Sequence, residues 1–138
     1  MLTHPVDASI RVRYAETDQM GIAYYGNYLA WFEVGRVEWC KAQGFNYRDM
    51  EQEDGAFLVV AEARCRYRAP ARFDDSLTIR TALKHARRSV LMFEYQVLNQ
   101  ETGQLLATGE TVHVVTGMDL RKRSLPEKYL SLFGLDKS

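Results

Sequence analysis

Asp18 is the residue with the clearest chemical potential, because it is an acid of a polar loop, Glu16-Thr17-Asp18 through Gly21 to Gly26-Asn27, that runs straight into an apolar helical pattern. Two glycines in that loop mark a backbone that turns sharply or comes close to something else. The loop ends at a helix N-terminus, whose free N–H groups and positive dipole end suit a carboxylate, a phosphate or a developing oxyanion. A carboxylate beside such a terminus has what a hydrolytic reaction needs: partial desolvation sharpens the carboxylate as base or nucleophile, and backbone donors receive the charge that develops. In the absence of other signals a loop aspartate is more often a turn former. Tyr25 and Gly26 would act through the backbone, with Asn27 the better N-cap by side chain.

Other polar groups divide between chemistry and structure. Arg87, Arg88 and Ser89 sit at a turn where guanidinium forks can grip phosphates, or stand as a solvated hairpin tip. Glu62 is the only acid between Ala56 and Arg68, and either faces a site or pairs with Arg64 or Arg66. Tyr24 and Tyr28, with Trp31 and Phe32, either line a pocket or fill the core. His113, among valines and threonines, reads as a hydrogen-bonded strand residue rather than a catalyst.

The elements that must position these groups follow from periodicity. Tyr28, Leu29, Trp31, Phe32, Val34, Val37, Trp39 and Cys40 recur at three- and four-residue steps and leave Glu33, Arg36, Glu38 and Lys41 for water, which predicts a long, largely buried helix. Ile10, Val12 and Tyr14 alternate with arginines as a first strand. A short helical turn over Phe45 to Asp54, closed by Gly55, precedes a strand over Ala56 to Arg68. Strands at Leu77 to Leu83, Val90 to Asn99 and Leu105 to Thr116 then form a meander, and Pro126 opens a last short helix. The expected fold is α+β, with one long central helix wrapped by a curved, about five-stranded antiparallel sheet. The open edges predict a homodimer joined sheet to sheet, with a homotetramer as the alternative.

The totals limit the classes of function. A chain of 138 residues, 46% hydrophobic, fits a single domain over residues 1–138. Eighteen basic and eighteen acidic residues cancel, with pI near 6.8, so no overall field points to nucleic acid or an anionic membrane. Cys40 and Cys65 lack metal-ligand or CxxC spacing, and no apolar run reaches the length of a signal peptide or membrane span. A cytoplasmic protein without metal is the expectation.

The segment RVRYAETDQMGIAYYGNYLAWFEVGR, with RYRAPARFDD and ARRSVLMFEY downstream, resembles the hotdog-fold acyl-CoA thioesterases of the 4-hydroxybenzoyl-CoA thioesterase and YbgC-like group. The specific element is the ordered set Asp18, Gly21, Tyr24-Tyr25, Asn27-Tyr28. The resemblance implies the hotdog fold and hydrolysis of an acyl-CoA thioester to free acid and coenzyme A. It assigns the catalytic carboxylate to Asp18 and the carbonyl-polarising backbone N–H to Tyr25. Many YbgC-like members carry histidine at that second position, whereas 4-hydroxybenzoyl-CoA-type members carry tyrosine as here. Coenzyme A would be part of the substrate, leaving no cofactor, and an acyl carrier protein is the alternative thiol carrier. Rival readings are a hotdog hydratase or dehydratase, against which the absence of histidine between His4 and His85 counts, and a binding module without turnover.

Overall fold

The computed structural model describes residues 5–135; His4 lies outside them. Five antiparallel strands, β1 (Val6–Arg11), β2 (Phe57–Tyr67), β3 (Ser76–Ala86), β4 (Val90–Asn99) and β5 (Leu105–Thr116), form one sheet in the order β1-β3-β4-β5-β2. The local hairpins β3–β4 and β4–β5 give the expected meander. The flanking strands come from further along the chain: β1 pairs β3, and β2 crosses to pair β5. Helix α1 (Asn27–Ala42) lies across the sheet, and α2 (Tyr47–Asp54) and α3 (Glu127–Leu130) close one end.

The core sits between α1 and the sheet. Trp31, Phe32, Trp39 and Cys40 from the helix meet Leu77, Ile79, Leu91, Phe93, Tyr95 and Val97 from β3 and β4. Phe32 stacks on Tyr95 with ring centroids 4.3 Å apart. The helix can approach this closely because position 109 on β5 is glycine: a Cβ there would run into the Phe32 ring. Burial of such side chains contributes about 1.5–3 kcal/mol each and dominates the stability of the assembly. The first strand ends at Arg11, earlier than the alternation through Tyr14 suggested, because Tyr14–Glu16 winds into a 3-10 turn.

Two expectations about α1 are corrected. Arg36, assigned to water, is only 8% exposed, while Leu29 and Val34 are 44% and 39% exposed. The sheet covers one side of the helix rather than most of it, so the apolar residues of the other side stay open. Arg36 tolerates burial because an Nη–H donates to the Tyr95 hydroxyl at 3.2 Å. From there the chain of bonds continues: Tyr95 to Thr111 at 2.6 Å, and Thr111 to His113 Nε2 at 2.8 Å, with Nδ1 facing the Leu58 carbonyl at 3.5 Å. A His113 protonated on Nδ1 lets each hydroxyl donate once along the line. Burial first, then the Arg36 charge, holds the His113 imidazole down to about 4, against a weaker opposing pull from Leu58. His113 is a neutral core residue, as its strand position suggested.

Candidate active site

Between the 3-10 turn and α1 the chain folds back on itself. Asp18 N–H donates to the Ile22 carbonyl at 2.8 Å and Gly21 N–H to the Asp18 carbonyl at 3.0 Å, while Gly21 takes φ +78°, a left-handed value that favours glycine. The Asp18 side chain is part of this turn, because Oδ1 accepts the Met20 N–H at 2.8 Å. Oδ2 meets no protein donor among the described residues. The carboxylate is thus held by one oxygen and open at the other, half-buried at the rim of the molecule.

The same loop delivers the helix N-terminus. Asn27 N–H donates to the Tyr24 carbonyl at 3.0 Å and Tyr28 N–H to the Tyr25 carbonyl at 3.3 Å, so these two carbonyls point toward the helix. The amides of Tyr25 and Gly26 have no acceptor among the described residues. Gly26, not Asn27, occupies the N-cap position; the Asn27 side chain instead donates back to the Glu16 carbonyl at 2.7 Å. That leaves two adjacent donors ahead of α1 unpaired, the arrangement that can receive an oxyanion. Gly26 has ordinary helical φ, and its role is one of space, since a Cβ would lie 2.9 Å from the Tyr24 ring.

Sequence reasoning missed Glu16, which organises the loop. Its carbonyl accepts Tyr24 N–H at 2.8 Å as well as the Asn27 amide. Its carboxylate accepts Arg13 N–H at 2.8 Å and the Trp31 indole N–H at 3.2 Å, and pairs with the Arg13 guanidinium at 3.4 Å. Burial works to raise this carboxyl, but the bonds from the Arg13 backbone, Trp31 and the Arg13 side chain prevail and hold it below the usual range. An ionised Glu16 therefore ties the end of β1, the loop and the first turns of α1 together. The Arg13–Glu16 spacing, with reciprocal backbone and side-chain contacts, was the available signal. A second staple comes from the segment after β2: Ala23 N–H donates to the buried Ala71 carbonyl at 2.8 Å.

The remaining candidates separate by position. Tyr24 and Tyr25 are exposed beside the free amides, with ring centroids 4.5 Å apart. Tyr28 is 2% exposed and backs the site, packed on Trp31 at 4.6 Å and on Tyr67 at 4.9 Å. Tyr67, the last residue of β2 and not singled out from sequence, donates its hydroxyl to the Tyr25 carbonyl at 3.0 Å. Glu62 is exposed on β2 just beyond a bulge and does not pair with Arg64, whose partner is Glu110 on β5. Glu110 also holds Lys84. Arg87, Arg88 and Ser89 form the β3–β4 turn, at the far end of β3 from the Asp18 loop. The 11 residues of β3, at about 3.3 Å each, separate the two by about 36 Å, so one chain does not bring them together. Cys40 is no nucleophile: burial pushes its thiol up to about 12. No group of three or more His, Cys, Asp or Glu side chains among the described residues is placed to hold a metal ion.

A family model described as the thioesterase-like superfamily matches residues 12–132. The putative acyl-CoA thioesterase YneP of Bacillus subtilis is 35% identical over 111 residues, covering 80% of this chain and 79% of that protein. The acyl-CoA thioester hydrolase YbgC of Escherichia coli is 32% identical over 124 residues, 90% of this chain and 92% of that one. Among solved structures, the DHNA-CoA thioesterase of Staphylococcus aureus superposes with a TM-score of 0.86 at 31% identity, over 94% of this chain and 85% of that chain. With a helix laid across a five-stranded antiparallel sheet and a match over nearly its whole length, the chain belongs to the thioesterase-like superfamily of hotdog-fold proteins.

Proposed function

We propose that this protein hydrolyses acyl-CoA thioesters to free acid and coenzyme A, with Asp18 as general base or nucleophile and the Tyr25 N–H polarising the carbonyl. The observation that carries the reading is the pairing of a half-tethered carboxylate with unpaired N–H groups at opposite ends of one short loop. In one route Asp18 takes a proton from water, which attacks the thioester carbon. In the other Asp18 attacks that carbon directly, and water then cleaves the anhydride. Either way negative charge develops on the carbonyl oxygen before the C–S bond breaks and the coenzyme A thiolate leaves. The backbone donors meet that charge without reorganising. Gly26 lets the substrate carbonyl approach, Tyr24 flanks it, and Tyr28 supports the wall from behind.

The site is completed by a second copy of the chain. β2 is an edge strand carrying exposed Val59 and Val60, and α1 leaves Leu29 and Val34 uncovered, surfaces that edge-to-edge pairing would bury. Antiparallel pairing of β2 with its copy reverses the second sheet. The Arg87–Ser89 turn of that copy then lies at the Asp18 end of the first, where its cations can meet the phosphates of coenzyme A. Glu62, exposed near the middle of β2, falls on this seam. Free Cys40 and Cys65 fit a reducing compartment, and the cytoplasm is the place we assign.

The test is free-thiol release from short, medium, long and aromatic acyl-CoAs and from an acyl carrier protein thioester, comparing wild type with Asp18→Asn. One acyl class should turn over, and the variant should lose about 100-fold or more. Absence of cleavage of any thioester, or an unimpaired variant, would sink the reading. Light scattering on the same sample should give at least twice the chain mass; a monomeric mass removes the dimeric site.

A further inference from the structure

The Tyr67 hydroxyl binds a carbonyl that is half of a catalytically placed peptide. The Tyr25 carbonyl and the Gly26 N–H belong to one planar unit, and in a trans peptide the two point in opposite directions. Whatever fixes the Tyr25 oxygen therefore aims the Gly26 hydrogen. Two donors fix it: Tyr28 N–H at 3.3 Å, from within the helix, and Tyr67 O–H at 3.0 Å, from the end of β2. The Gly26 N–H has no acceptor among the described residues and emerges on the side away from both.

Tyr67 is well held for this purpose. Its ring stands edge-on to buried Tyr28, centroids 4.9 Å apart at 87°, and edge-on to Tyr25 at 6.3 Å and 81°. Its backbone is in register with Ala107 of β5, so the sheet sets its position independently of the loop. Desolvation, then the neighbouring Cys65 thiol, push the phenol above its usual range, which keeps the hydroxyl protonated and donating. Hydrogen bonding at the carbonyl end of an amide also polarises the unit and strengthens its N–H as a donor.

We propose that Tyr67 is a positioning residue for thioester hydrolysis: by binding the Tyr25 carbonyl it orients the Gly26 N–H as a second oxyanion donor beside the Tyr25 N–H. The proposal rests on the thioesterase reading. It makes the site a product of the sheet as well as of the loop, because one donor is aimed from β2.

The variant is Tyr67→Phe, which keeps the ring and removes one hydroxyl from a residue 46% exposed. Turnover of the best acyl-CoA should fall about 10-fold in kcat, the size of one hydrogen bond. KM should stay within about twofold, since a ground-state carbonyl uses the donor little. The melting temperature and the shape of the pH profile should match wild type, because Asp18 is untouched. Independently of turnover, the Gly26 backbone amide resonance should move in the variant while amides on β3 do not. Wild-type kcat in Tyr67→Phe overturns the proposal, as does a fall in stability that accounts for the loss. If wild type cleaves no thioester, the functional reading fails first; a shifted Gly26 resonance would then leave the hydrogen bond real and its catalytic role refuted.

Discussion

Two polar networks in this molecule use similar groups and end differently. The interior line Arg36–Tyr95–Thr111–His113 is closed along its hydroxyls: each is both donor and acceptor to protein, and the line ends on a backbone carbonyl, with the buried Arg36 Nε at its start left unpaired. The Glu16 network is satisfied at its centre but leaves open ends at Asp18 Oδ2 and at the Tyr25 and Gly26 amides. The closed network can only specify packing. The open one holds unspent hydrogen-bonding capacity at fixed positions, which is what a reaction needs from a protein.

The largest effect should come from the open network. Asp18→Asn keeps the turn acceptor for Met20 N–H and removes the base, so kcat should fall about 10²–10⁴-fold with the melting temperature unchanged. Thiol-release assays alongside thermal melts check this; loss of fold in proportion to loss of activity would blur the two networks into one. The closed network should show itself in stability alone. Folding holds His113 neutral with its pKa lowered to about 4, while the unfolded chain titrates near 6.5. The unfolded state therefore binds the proton first on acidification. This contribution is fully present above about pH 6.5, is lost as pH falls toward about 4, and changes no further below that. The whole span is worth up to about 3 kcal/mol. Urea unfolding at pH 7 and pH 4.5 should show a drop that His113→Asn reduces; an equal drop in the variant would shift the cause to carboxylates such as Glu110. The smallest effect tests the link between satisfied centre and open ends. Glu16→Gln has one acceptor oxygen where the carboxylate has two, so either Arg13 N–H or the Trp31 indole loses its partner. A fall of about 10-fold in kcat with KM little changed is expected, with a shift in Trp31 fluorescence; a rise in KM alone would make Glu16 part of a binding wall.

Much of this was legible in the residues because it is local. The Asp18 turn is announced by Gly21, the helix by its apolar period, and the meander by turn residues between alternating runs. What escaped reading depends on partners distant in sequence. Arg36 carries a charge and reads as solvent-facing until the Tyr95 hydroxyl, far along the chain, supplies an acceptor. Tyr67 reads as one more apolar-face residue of a strand, since nothing nearby says that its hydroxyl reaches Tyr25. Glu16 reads as a loop acid because its indole partner lies on the following helix. The Arg87–Ser89 turn was rightly seen as a turn, but its distance from Asp18 depends on strand pairing that no local pattern encodes.

The crossing of β2 to β5, and of β1 to β3, also bears on the order in which the chain folds. The β3–β4–β5 meander joins sequence neighbours and closes short loops, whereas both outer strands must close long ones. The two parts of the site hang on those outer strands: the Asp18 loop follows β1, and Tyr67 ends β2. Chemistry should therefore be the last property acquired during folding, with protection of the Arg68 amide, which donates to the Leu106 carbonyl at 2.8 Å, appearing after that at Phe93 in pulsed hydrogen exchange. Simultaneous protection would mean that the sheet forms as one unit.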